Sequence, residues 1–414
     1  MIDESKVIVF VLPRSPWPPF AGQSRLSFYR AKELKKLGYK VILISISSSK
    51  NLNKDIKEKL SNVFHEMHFI KVTKLDFLFI FLNSITLRLF SNLPLQNSWL
   101  NSQRILNLFK RRLIILEKKY TNIIFHFYSI RTYSLWFLID SFKKPFFIDL
   151  VDSMTLNIKR KIVSNKEKIK NIFWNLEYKS MTDFERNLPN FDYCRGYILV
   201  SEIDKKIIQF ESYNSGIPII VNNIGCEIPK KLDILESKSK NIIFFGSLNY
   251  EPNISAIKWL INYVMPIVWS KDSSIILNIA GSNPTKEIYK ISKKDTKIKL
   301  IPNPKSMNKV INKSIIAVAP LISGSGQQFK IIEAMANGLP VIASSKVASP
   351  FGFINKKDLI IEDDYFKFAN AILNLVNNSK IRKELTKNSY LKIKDKYSWE
   401  SSVKSLKSNY ENYF

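Results

Sequence analysis

The chain has 414 residues, 45% of them hydrophobic and 24% charged, a globular composition that excludes a chain disordered or membrane-spanning throughout. Single hydrophobic cores stop growing at about 250 to 300 residues, so two domains of about 200 residues each, with a cleft between them, are expected. The 64 Lys and Arg outnumber the 35 Asp and Glu, leaving a formal charge of +29, which reads either as the mark of an acidic partner (nucleic acid, an anionic membrane surface, or phosphate-bearing small molecules) or as an AT-rich genome's inflation of Lys, Asn and Ile.

The first predicted strand, Val7–Leu12, follows Asp3 and Glu4 and runs into Pro13. It lacks the basic flank and cleavage site of a signal peptide, so a cytoplasmic protein is expected. A Pro-rich loop with Gly22, a helix over Leu26–Leu37, Gly38 and the strand Lys40–Ser45 complete a βαβ unit. The segment Leu75–Phe90 is strongly apolar but is interrupted by Asp76, Asn83 and Arg88, and it is shorter than the roughly 20 residues a spanning helix needs. It reads either as a core helix or as a segment that dips into a membrane interface or holds a lipid-linked acceptor.

Continuous apolar runs at Tyr120–Phe127, Lys144–Leu150 and Tyr197–Val200 suit a parallel sheet covered on both faces. The basic run Lys159–Lys170 reads as a solvated helix face or as a contact for membrane phosphates. The polar stretch Lys230–Lys240 is placed as the linker. A second strand series follows at Asn241–Gly246, Ser274–Gly281, Ile298–Ile301, Ile315–Ala319 and Val341–Ala343. The expected fold is therefore α/β, with a doubly wound parallel sheet on each side of the linker. Ligand belongs at the carboxyl ends of the strands. Two cysteines (Cys194, Cys226) and three histidines (His65, His68, His126) make neither a disulfide framework nor a zinc cluster, which fits a reducing compartment.

One segment carries the chemistry. The buried strand Ile315–Ala319 leads into the loop Pro320–Gly326, which holds Gly324, Ser325 and Gly326, then Gln327 and Gln328, and then a helix over Phe329–Ala336. A helix start preceded by glycines offers backbone N–H groups and the positive end of the dipole to a phosphate, although a simple turn before a helix looks the same. Lys330 and Glu333 stand i,i+3 and share a helix face. Together they suit a diphosphate and a ribose diol, since a carboxylate accepts from two hydroxyls at once; a surface Lys–Glu pair that steadies the helix is the plainer reading.

Residues Gly324–Ser344 (GSGQQFKIIEAMANGLPVIAS) resemble the donor-site signature of retaining family 4 glycosyltransferases: a Gly-rich loop, then Lys-x-x-Glu-Ala-Met-Ala, then Gly-x-Pro-Val. The run Phe244–Asn253 is similar to the first strand and loop of the donor domain in that family. In the N-terminal half, Phe147–Ser153, Leu176-Glu177, Phe184–Arg186 and Val200–Glu202 resemble sugar transferases of bacterial exopolysaccharide clusters, and Pro16–Leu37, with Gly22 and Arg25, looks like their first loop and helix. Val221–Gly225 resembles the turn that ends the first domain, and Tyr397–Glu400 the start of the last helix. The likeness covers nearly the whole chain.

It implies a GT-B fold of two Rossmann-like domains, over residues 1–228 and 229–395, with a helix over 396–414 that crosses back onto the first. It implies sugar transfer with retention from a nucleotide-diphosphate donor to a glycan or lipid-linked acceptor in surface polysaccharide synthesis. No cofactor and no obligatory metal are expected, nor any nucleic-acid partner; a peripheral place on the inner face of the cytoplasmic membrane fits. Donor-binding residues would be Gly246, Ser247, Asn253, Gly324, Ser325, Gly326, Gln327, Gln328, Lys330 and Glu333, the last two also catalytic. Gly22, Arg25 and Asp149 would line the acceptor side of the cleft, although Asp152 is as well placed to cap the segment that follows.

Three departures bear on this. Many relatives carry a second carboxylate eight residues before the one matching Glu333, where this chain has Ser325, so backbone amides of Gly326, Gln327 and Gln328 would serve instead. Many place Arg and Lys where Ser247 and Asn253 stand, which leaves Lys330 as the cation for the diphosphate. His126 falls one residue out of register with the histidine that relatives present to the cleft, and one residue reverses a strand's face, so it reads as core. The competing readings are a GT-B nucleotide-sugar epimerase and a non-catalytic basic protein that binds membrane or nucleic acid.

Overall fold

The computed structural model describes residues 4–19, 22–47, 54–164, 168–209, 216–229, 240–321 and 326–414. The expectations placed on Gly324 and Ser325, and on all of the 230–240 linker but its last residue, lie outside the described residues. The chain forms two compact units, Met1–Asn223 with Trp399–Phe414, and Ile224–Ser398.

The first unit runs β1 (Val7–Leu12), α1 (Gly22–Lys36), β2 (Lys40–Ser47), α2 (Lys54–Ser61), β3 (Glu66–Lys71), α3 (Lys74–Ser91) and α4 (Gln103–Lys119). It continues through β4 (Ile123–Tyr128), α5 (Tyr133–Ser141), β5 (Phe146–Val151), α6 (Met154–Ser164), α7 (Lys168–Arg186), β6 (Cys194–Leu199), α8 (Glu202–Gln209) and β7 (Ile219–Val221). Its sheet is wholly parallel, in the order β3-β2-β1-β4-β5-β6-β7. All six residues of β1 and of β4 are buried, as central strands covered by helices on both faces must be.

The second unit holds β8 (Asn241–Phe245), α9 (Glu251–Trp259), α10 (Met265–Lys271), β9 (Ile276–Gly281), α11 (Lys286–Ser292), β10 (Ile298–Pro302), α12 (Met307–Ile311) and β11 (Ile316–Ala319). After these come α13 (Phe329–Ala336), β12 (Val341–Ala343), α14 (Ser345–Ala348), β13 (Ile360–Ile361), α15 (Tyr365–Asn377) and α16 (Ser379–Lys396). The sheet order β10-β9-β8-β11-β12-β13 repeats the 3-2-1-4-5-6 winding of the first unit, which is that of a doubly wound nucleotide-binding sheet. The chain reverses direction of travel across the sheet between β8 and β11, so ligand is favoured outside their carboxyl ends.

The last helix, α17 (Trp399–Tyr410), belongs to the first unit, where Trp399 stacks on Tyr29 of α1 with ring centroids 5.0 Å apart. The apolar segment Leu75–Phe90 does form a helix, α3, but the core-helix reading is corrected. Among its described side chains only Asp76 and Ile80 are buried, while Leu78, Phe81 and Ile85 stand exposed. The reason lies at its start. Thr73 Oγ1 accepts from Asp76 N and Asp76 Oδ2 from Thr73 N, a capping box that turns the carboxylate inward.

Candidate functional site

β8 is followed by Gly246, whose φ of 150° suits glycine far better than any other residue. Its amide donates to Ala280 O at 3.0 Å, and Leu248 N donates to Ser282 O at 2.7 Å. These bonds draw the loop after β8 onto the loop after β9. The approach is so close that a Cβ on Gly281 would lie 1.7 Å from the Gly246 carbonyl oxygen. Gly281→Ala therefore cannot be absorbed by a side-chain rotation. It is expected to lose about 1–3 kcal/mol in urea denaturation; an unchanged midpoint would show that the two loops do not hold this approach.

Gly246 also makes room for what lies beyond it. A Cβ there would meet Asn253 Nδ2 at 2.9 Å and Lys330 Nζ at 3.2 Å. Asn253, on the first turn of α9, is oriented by donating from Nδ2 to Ser247 O at 2.8 Å, which leaves its Oδ1 to accept from Lys330 Nζ at 2.6 Å. The Ser247 hydroxyl itself turns away, to Asn249 Oδ1 at 2.7 Å.

Lys330 arrives from the first turn of α13. Its ammonium lies 4.3 Å from the Phe244 ring centroid, and the residue is 8% exposed. Burial drives its pKa from 10.5 down to about 7, against the partial opposition of the half-buried Glu333 carboxylate one turn on. A desolvated ammonium beside a neutral amide and a ring face gains strongly from an added anion. Gly326 takes a left-handed φ of 59°, and the N-cap Gln328 places no side-chain hydrogen bond on the helix end. The side chain of Gln327 has a tethering role, accepting from Ile224 N at 3.1 Å and donating to Pro350 O at 3.1 Å. Gly246, Ser247, Asn253, Lys330 and Glu333 are thus brought to one place, with Gly326, Gln327 and Gln328 leading into the helix that carries Lys330.

The residues assigned to the first unit fall differently. Gly22 opens α1 with a φ of 47°, and Arg25, half-buried, lies with its guanidinium 6.0 Å from the Tyr29 ring centroid. Asp149 does not line an open surface; it is fully buried, and that expectation is corrected. Arg30 of α1 reaches it with Nη1 at 2.5 Å and also donates to Asn222 O at 3.0 Å. Burial, the largest single influence, would raise the carboxyl; the Arg30 guanidinium together with the contacts to His126 and Val151 N outweighs it and holds Asp149 below its usual range.

His126 is buried in the same cluster, as core. Its Nε2 lies 3.4 Å from Asp149 Oδ2 and its Nδ1 2.6 Å from the Tyr410 hydroxyl of α17. Burial lowers its pKa despite Asp149, so the ring is neutral. Because a carboxylate only accepts, Nε2 carries the proton and Nδ1 accepts from Tyr410. Glu185, in the Phe184–Arg186 run, is likewise buried and structural, accepting from Ser153 Oγ, Met154 N and Thr155 N at the start of α6.

Sequence reasoning missed Gly281 and Arg30. The Ala-Gly ending of β9 could have pointed to a close approach; nothing in the polar surface of α1 singles out Arg30.

Residues 239–378 match the family described as Glycosyl transferases group 1, and that span contains Gly246, Ser247, Asn253, Gly281, Lys330 and Glu333. A 44.6 kDa protein in the cps region of Klebsiella pneumoniae is 28% identical over 185 residues, 43% of this chain. The match spans about half, 48%, of that relative's length. Among solved structures, sucrose-phosphate synthase from Thermosynechococcus elongatus superposes with a TM-score of 0.67 at 13% identity, covering 98% of both chains. Anabaena HepE in complex with UDP gives 0.65 at 9% identity, covering 98% of this chain and 100% of that one. An S. aureus TarM variant in complex with Fondaparinux, alpha-GlcNAc-glycerol and UDP gives 0.63 at 15% identity, covering 97% and 99%. With two doubly wound parallel sheets and these neighbours, the chain has the GT-B fold, and its residues 239–378 are similar to the Glycosyl transferases group 1 family.

Proposed function

We propose that the chain is a retaining, family 4 enzyme that moves a sugar from a nucleotide-diphosphate donor to a glycan or lipid-linked acceptor in bacterial surface polysaccharide synthesis. The observation that carries this reading is the buried Lys330 ammonium at the carboxyl end of β8, held by one neutral acceptor, Asn253 Oδ1. In this reading the bond from the anomeric carbon to the diphosphate breaks, and its electron pair leaves on the phosphate oxygen. Lys330 and the amides leading into α13 stabilise that charge more in the transition state than in the bound donor. Glu333 accepts from the two ribose hydroxyls, and no metal is needed to neutralise the diphosphate. The acceptor hydroxyl attacks the anomeric carbon from the face the diphosphate leaves and passes its proton to the departing phosphate oxygen, with Gly22 and Arg25 on the acceptor side. Neighbours of the same fold were solved with UDP and with UDP-glucose, which supports a nucleotide sugar as donor. The relative in a cps region supports the polysaccharide setting.

The test is hydrolysis of a panel of nucleotide sugars, with thermal shifts in the same panel identifying the donor that stabilises the native state. One donor is expected to be cleaved by the wild type. Glu333→Ala is expected to bind it about 10- to 100-fold more weakly, the cost of removing hydrogen bonds to a charged acceptor. Absence of binding by any nucleotide sugar would sink the proposal.

A further inference from the structure

Helix α3 is amphipathic in the reverse sense. Its inward line carries Asp76, which accepts from Ser102 Oγ and Arg104 Nη1 at 2.6 Å each, and Asn83, which donates to Asn101 O at 2.8 Å. Its outward face is apolar: Leu78 is 53% exposed, Phe81 61% and Phe90 88%, with Leu82 and Ile85 between. At its far end Arg88 donates to Ser180 Oγ of α7 and lies 3.8 Å from Glu177. There the apolar surface continues through exposed Ile172, Phe173 and Leu176. A surface helix ordinarily points such residues into its own domain, and so broad an outward apolar patch marks a binding surface.

The charges around this patch indicate what it meets. Exposed Lys71 and Lys74 stand at the start of α3, and exposed Lys179 stands on α7 beside its end. The one acid of α3, Asp76, is buried. Trp99, itself part-exposed, packs edge-on against Phe77 with centroids 6.5 Å apart and carries the Arg131 guanidinium 5.1 Å from its ring centroid. Apolar residues flanked by cations and an amphipathic aromatic suit the boundary between acyl chains and anionic headgroups. A second copy of the chain would instead set a +29 molecule against its like. Among the described residues no helix is long and apolar enough to cross a membrane.

We propose that the outward face of α3, extended by Ile172, Phe173 and Leu176 of α7, docks the protein flat on an anionic membrane surface. This stands apart from the sugar-transfer reading and does not depend on it. The full chain is incubated with vesicles of equal parts phosphatidylcholine and phosphatidylglycerol, or of phosphatidylcholine alone, and sedimented. The wild type is expected to sediment with the anionic vesicles and much less with the neutral ones. The triple variant Leu78→Ser, Phe81→Ser, Ile85→Ser, whose sites are already in water, is expected to keep the wild-type Tm and bind at least about tenfold more weakly. Lys74→Glu and Lys179→Glu should each weaken binding about fivefold or more. Wild-type protein left in the supernatant with anionic vesicles, equal binding to neutral ones, or a triple variant that binds like the wild type would each overturn the proposal. So would a dimer that the triple variant converts to monomer without any vesicle binding.

Discussion

Replacing Lys330 by methionine is expected to abolish most donor chemistry while leaving the fold as stable as before, or more stable. The ammonium is buried with one neutral hydrogen-bond acceptor, and burial has taken its pKa to about 7 from 10.5. At pH 7 the folded chain holds this proton less tightly than the unfolded chain, a cost of the order of 4 kcal/mol. Methionine removes that cost and loses one hydrogen bond to Asn253, worth about 1–3 kcal/mol with the acceptor left behind. The midpoint of urea denaturation should therefore hold or rise. Turnover of the donor should fall about 100- to 1000-fold, as when one preorganised donor to a developing anion is removed.

The sign of the pH dependence follows from the direction of the shift. Between about pH 7 and 10.5 the unfolded chain binds more protons than the folded one, so the wild type gains stability with rising pH relative to the variant. A bound diphosphate acts oppositely, since its charge favours the ammonium and raises that pKa. Donor affinity of the wild type should then weaken by up to about tenfold per pH unit above 7, while that of Lys330→Met stays level. Calorimetric titration with a nucleoside diphosphate at several pH values checks this. A wild type as pH-independent as the variant would show that Lys330 does not face the phosphates.

The parts of this molecule legible in its sequence are those whose causes are local. β1 and β4 lie buried on both faces, so their runs of Val, Ile and Phe announce them. β3 (EMHFIK) was not foreseen because it is an edge strand with most positions part-exposed, and β7 and β13 have only three and two residues, too few for any period to register. At the site, Lys330 and Glu333 share a helix and their spacing places them together. Gly281 acts on Gly246, 35 positions earlier, through a backbone contact that leaves no local pattern. In α3 almost every position is apolar, so periodicity could not choose the buried face. Asp76 and Asn83 chose it, through partners at 101, 102 and 104 that only the fold brings near.

Asp149→Ala is expected to be strongly destabilising, at about 3–5 kcal/mol in urea denaturation. Both Asp149 and Arg30 have fully buried side chains, so the variant strands a guanidinium without its counter-ion and deprives His126 Nε2 of its acceptor. Arg30→Met should cost a similar amount by leaving the carboxylate unpaired. The double variant Arg30→Met, Asp149→Leu removes both charges and fills the space with apolar atoms, so it should lie well above the sum of the single losses. The pH profile separates this from a loss of packing alone. Arg30 holds the Asp149 carboxyl below its ordinary value in the face of burial, so the stability it contributes is fully present above about pH 5. It is lost only as pH falls below about 4, toward the folded pKa. The gap between wild type and Asp149→Ala should then be constant from about pH 7 to 9, above the range in which His126 titrates, and change in acid as Asp149 is protonated, whereas a pure packing defect would leave the same gap at every pH.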